Sequence, residues 1–165
     1  MMRSSAAVFA LITALIPIEA SALSCTPHDP ATTFQRIHAA PEIYIGVVGT
    51  LVFDEERLPS TDWEHQETTP PETLLSARLT GHSLSIEGFE TPFDQHITLK
   101  IQCAGPWCAS AVSGEQYLGF LQSGDDGYSL TIGPCGGDAF SEPTGATLET
   151  VRQCFAGGAC VPGMQ

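Results

Sequence analysis

Basic residues are scarce in this chain. Six Lys plus Arg stand against nineteen Asp plus Glu in 165 residues, for a formal net charge of −13 at pH 7. Such a surface repels polyanions, which excludes nucleic acid as a partner. The acidity serves to keep an exported protein soluble. Side-chain patterns for metal binding and catalysis are missing too. The five histidines are His28, His38, His65, His82 and His96, and no two stand at i and i+4 as a helical metal pair. Paired Cys-x-x-Cys knuckles are absent, so neither a zinc cage nor a thiol oxidoreductase is expected. Ser113-Gly114-Glu115 and Ser123-Gly124-Asp125 put serine beside acid without a nucleophile elbow. Gly136-Gly137-Asp138 has no phosphate-loop lysine after it. The acidic stretch lacks the alternating pattern of a calcium loop. The reading is a non-enzyme with no catalytic residue, no cofactor and no metal.

Long apolar runs are equally rare. The one at Ala6 to Ile16 is too short to span a membrane as a helix. It follows Arg3 and precedes Ala20-Ser21-Ala22, a small-x-small cleavage site. Residues 1–22 therefore read as a secretory signal peptide, and 23–165 as one domain of 143 residues, from 165 minus 22. The leader carries one basic and one acidic residue, Arg3 and Glu19, so the mature charge stays at −13. No membrane span follows it. The expected location is periplasmic or secreted.

Six cysteines behind a leader indicate disulfides. Cys103 and Cys108 flank Ala-Gly-Pro-Trp, a turn that can fold them together. Cys154 and Cys160 flank Phe-Ala-Gly-Gly-Ala, where glycines turn the chain back. That leaves Cys25 for Cys135. A Cys25–Cys108 bond is the rival pairing.

The stretch from Cys25 to Phe53 organises the rest. Asp29 and Pro30 are start signals for a helix over 30–40, with Phe34, Ile37 and His38 on its buried face. Pro41 ends it. A β-branched run, 43–53, predicts a long strand, with Gly46 and Gly49 marking a bulge or bend. Residues 54–71 form a solvated, mobile acidic loop holding Trp63, which serves as an exposed binding anchor or folds back as a lid. Strand patterns follow over 74–79, then a bend at Gly81-His82, then Leu84 and Ile86 on a half-buried strand. Gly88 to Phe93 reads as a connection and His96 to Cys103 as a strand. A hairpin over 115–132 turns at Gly124-Asp125-Asp126-Gly127. Thr147 to Phe155 reads as a helix that buries Leu148, Val151, Cys154 and Phe155.

Several of these pieces resemble a known family. Cys25-x-Pro27-x-x-Pro30, then Phe34, then Ala39 or Ala40, then Tyr44-Ile45-Gly46-Val47-Val48 resembles the start of the tissue inhibitors of metalloproteinases and the wider netrin-like modules. Phe93 to Cys103, Glu115-Gln116-Tyr117-Leu118 and Leu130-Thr131-Ile132-x-x-Cys135 follow in that family's order. The similarity spans most of 25–135. It implies a mainly β fold: a five-stranded Greek-key barrel of the oligonucleotide/oligosaccharide-binding (OB) kind, with an N-terminal and a C-terminal flanking helix, stapled by disulfides. It also implies the Cys25–Cys135 bond, and a binding ridge at Cys25, Thr26, Pro27 and His28. In the inhibitors, the amine and carbonyl of a first-residue cysteine coordinate the target's zinc. Here Leu23 and Ser24 precede Cys25. The expected function is a non-enzymatic protein-binding module whose partner is another envelope or extracellular protein. The alternatives are a metalloprotease inhibitor acting through the ridge, or a carbohydrate-binding module that stacks sugars on Trp63, Trp107, Tyr117 or Tyr128.

Overall fold

Helix α1 begins where Asp29 accepts a hydrogen bond from the Thr32 backbone N–H at 2.8 Å and Pro30 occupies the first turn. The computed structural model describes residues 23–163; the expected leader at 1–22 lies outside the described residues. Helix α1 spans Pro30–His38 and buries Ala31, Thr33 and Ile37. Phe34 is only half-buried, and His38 is exposed rather than packed. His38 ends the helix, where no element covers it, and its ring lies against Phe34.

Strand β1, Ile43–Phe53, pairs on one side with β2, Glu72–Ser85, and on the other with β5, Gln116–Gly124. Its register is unbroken, so Gly46 and Gly49 make no bulge. Gly49 faces Gly81 across the β1–β2 pair, and a Cβ on either would run into the other strand's backbone. The two glycines allow a close backbone approach, and β2 continues straight through Gly81-His82 where a bend was expected. The irregularity comes later, between Ser83 and Leu84.

Strand β3 spans Gly88–Ala104. The segment Gly88–Phe93, expected as a connection, belongs to this strand, with Pro92 opposite His82. Glycine and proline read as punctuation, but pairing with β2 holds the segment extended. A two-residue strand β4, Trp107–Cys108, turns back on β3. Strands β5, β6 (Gly127–Ile132) and β7 (Ala139–Ser141) follow. Helix α2, Gly145–Phe155, is capped by Thr144, whose side chain accepts from the Thr147 N–H.

Five strands close a ring in the order β1, β2, β3, β6, β5 and back to β1. The β3–β6 pair is parallel and the others are antiparallel. Among the described residues the protein is thus mainly β, with two α-helices and three disulfides. Leu51, Leu79, Leu99, Leu121 and Leu130 fill the barrel interior, all fully buried. Strand alternation explains the first three: odd positions of β1, β2 and β3 point inward. A second cluster of Ile37, Leu118, Phe120 and Val151 lies beneath the helices. Phe155, expected in that layer, remains 44% exposed.

The disulfides join Cys25 to Cys135, Cys103 to Cys108 and Cys154 to Cys160. This rules out the Cys25–Cys108 pairing. The three bonds fit an oxidising compartment. No helix among the described residues is long and apolar enough to cross a membrane.

Candidate functional site

The N-terminal segment is held from two directions. Cys25 is bonded to Cys135, in the turn that follows β6. Three residues on, the His28 ring stacks on Phe140 of β7 at a centroid distance of 3.9 Å. His28 Nε2 lies 3.2 Å from the Gly137 carbonyl and donates to it as the neutral ring. Gly136 passes under the ring with φ +103, and a Cβ there would collide with the imidazole. Cys25, Thr26 and Pro27 are exposed, whereas His28 is half-buried. The ridge of four therefore divides into three residues that face solvent and one that anchors them. Burial holds the His28 pKa below its ordinary 6.5; nearby Arg36 adds to this, and the bond to Gly137 opposes it.

Behind the ridge, Asp29 ties both ends of the chain. One carboxylate oxygen caps α1, and the other accepts from the Gly163 N–H at 3.0 Å. Burial pushes its pKa up, but the hydrogen bonds from Thr32, Gly163 and Ala31 outweigh this and hold it low. Arg36 pairs with Asp138, which is nearly buried, and also donates to the Gly137 carbonyl. The Gln35 side chain donates to the Cys160 carbonyl at 2.6 Å. The ridge thus stands on a base fixed by a helix cap, an ion pair and a disulfide.

A groove of about 490 Å³ opens beside His28. Its banks are Ala109–Val112 and Ala139–Ser141, and Tyr117 and Ile132 lie along its base. It forms because β6 leaves β5 after Ser129 and β7 takes up the pairing on Tyr117–Gly119. Tyr117 is buried in the barrel wall, and its hydroxyl accepts from the Val112 N–H at 2.9 Å, bracing the far bank. Burial raises the Tyr117 pKa, and Glu115, Glu55 and Glu142 add to the rise. The groove offers small apolar side chains, backbone edges and the Glu115 carboxylate. Of the groove residues, the sequence singled out as binding candidates only His28, for the ridge, and Tyr117, as a stacking surface; the alanines of the banks carry no chemical motif, and only the pairing of distant strands brings them together.

The other sequence candidates lie apart from this groove. Trp63 is 63% exposed and does not fold back as a lid. Its acidic loop is tethered: Thr61 donates to the Pro106 carbonyl at 2.6 Å, and Glu55 accepts from the Ser113 N–H. Asp62 accepts from the Glu64 N–H and bonds His65, closing a local turn. Trp107 and Tyr128 are half-buried, and Tyr128 packs edge-on against Phe93. Ser113 is occupied structurally, its hydroxyl accepting from the Phe53 N–H. Among the described residues, no three His, Cys, Asp or Glu side chains converge as a metal site. No known family model, curated protein or solved structure matches this chain.

Proposed function

We propose that this chain is a periplasmic or secreted, non-enzymatic protein-binding module, and that it meets its partner through Cys25–Pro27 and the adjoining groove. The observation that carries this reading is an exposed N-terminal segment pinned at both its ends beside an open groove. The Cys25–Cys135 bond holds one end and the stacked His28 the other. A peptide segment held this way loses little entropy on binding, so its contacts translate into affinity. The strand order of the ring, with its parallel β3–β6 pair, supports assignment to the OB barrel that the resemblance to netrin-like modules implies. Three disulfides and a leader-like N-terminus support export.

Zinc-directed protease inhibition is the weaker version of this reading. Leu23 and Ser24 precede Cys25, so cleavage after Ala22 leaves no terminal cysteine amine to coordinate a metal. Recognition then rests on the shape and hydrogen bonding of the ridge. The test is affinity capture from the source organism's envelope and secreted fraction, comparing wild type with a Thr26→Arg, Pro27→Arg double variant. Both residues are exposed, so the variant should keep the wild-type melting temperature. A partner retained by wild type and lost by the variant is the expected result. Equal capture by both would overturn the ridge as the binding element.

A further inference from the structure

Strand β7 has an unused edge. Phe120 donates its N–H to the Asp138 carbonyl at 2.9 Å, and Glu142 donates to the Gln116 carbonyl at 2.8 Å. Antiparallel pairing turns alternate residues toward the partner strand. The Asp138 carbonyl, Phe140 and Glu142 therefore face β5, the Asp138 N–H donates instead to the Thr131 carbonyl of β6 at 2.9 Å, and the backbone groups of Ala139 and Ser141 face away from β5. Among the described residues, strand β7 pairs with β5 alone. Its free side opens into the groove, whose other bank is Ala109–Val112. A free strand edge beside an open slot is a template for another strand. Ala109, Ala111 and Ala139 are small and buried, while Ser110, Val112 and Ser141 are exposed along the slot, so Ser141 is the accessible end of the free edge.

The charges at this site select among occupants. Glu115 lines the groove, Glu142 follows β7 directly, and among the described residues no Lys or Arg lines it. Burial raises the Tyr117 pKa first, and the charges of Glu115, Glu55 and Glu142 add to it. A second copy of a chain with net charge −13 would be repelled, as would any polyanion. A basic segment would be attracted.

Resting on the protein-binding reading above, we propose that β7 accepts an extended, lysine- or arginine-bearing peptide segment of the partner as an added strand. Its alternate apolar side chains lie along the exposed Val112 and the small side chains of the slot, and its basic ones reach Glu115 and Glu142. The main chain exchanges hydrogen bonds with Ala139 and Ser141.

The test titrates the protein with a short peptide of alternating valine and lysine, followed by amide exchange and calorimetry. Three control peptides accompany it: alternating valine and glutamate, the valine–lysine peptide N-methylated on alternate residues, and the chain's own residues 1–22. The expected result is binding of the valine–lysine peptide with amide exchange at Ala139 and Ser141 slowed at least about tenfold. N-methylation should weaken binding by about tenfold, the effect of losing roughly two net hydrogen bonds. The glutamate peptide should not bind. Ser141→Pro removes an outward N–H while leaving the Phe140 and Glu142 bonds to β5 in place, so it should weaken binding at an unchanged melting temperature. The proposal is overturned if no peptide binds, if the N-methylated peptide binds equally, if protection falls elsewhere, or if residues 1–22 bind more tightly than the valine–lysine peptide. Partner capture that survives Ser141→Pro but not the ridge variant would sink the added strand and leave the ridge reading standing. Capture that survives both would sink the ridge reading itself.

Discussion

Removing Cys25–Cys135 should lower stability more than removing Cys154–Cys160, although both are single bonds. The first joins residues 110 apart in sequence and the second residues 6 apart. Loop-closure entropy gives about 4.8 kcal/mol for the long loop and about 2.4 kcal/mol for the short one. The folded state changes little when the long bond is cut. His28 still stacks on Phe140, Asp29 still caps α1, and only Cys25–Pro27 are released. The loss is therefore mainly freedom gained by the unfolded chain. Serine would be a poor replacement, because Cys154 is buried and a hydroxyl there would lack a partner. Alanine is the cleaner choice, though trimming Cys154 adds up to about 1 kcal/mol for lost packing. At about 4 °C per kcal/mol for a chain of this size, Cys25→Ala with Cys135→Ala should drop Tm by about 19 °C. Cys154→Ala with Cys160→Ala should drop it by about 14 °C on the same scale. Scanning calorimetry of both variants beside wild type measures the gap. Equal drops, or the reverse order, would refute the entropic argument and show that α2 and its tail are stabilised globally by their bond.

Two further outcomes follow from local geometry. Burial in the folded state disfavours the protonated His28 ring and lowers its pKa below 6.5. Its contribution is thus fully present above that pH and declines as pH falls through 6.5 toward the folded-state value, because the unfolded chain takes up the proton first. Melting curves between about pH 7 and pH 5 should show a destabilisation that His28→Gln removes, and identical slopes for the two proteins would contradict the anchor. Gly49→Ala or Gly81→Ala forces a methyl group into the opposing backbone and should cost about 3 kcal/mol or more, read as a shift in the urea midpoint. A shift below roughly 0.5 kcal/mol would mean that the β1–β2 approach is looser than described.

Local chemistry was legible in the residues alone. Asp29-Pro30 had to begin a helix, and the run from Ile43 to Phe53 had to be a strand, because capping and β-branching act over a few residues. The close cysteine pairs were legible for the same reason: their loops are too short to do much besides turn. Acid excess and the absence of motifs were matters of counting. Tertiary structure decided whatever depended on a distant partner. Gly81 and Pro92 read as breaks, yet both lie inside strands, because a facing glycine and a paired strand held them extended. His28 read as part of an outward ridge, yet Phe140, 112 positions later, drew its ring inward. The groove between Ala109–Val112 and Ala139–Ser141 had no signature at all. It exists because β6 leaves β5 and β7 replaces it, and backbone edges freed by strand pairing leave no trace in side-chain identity.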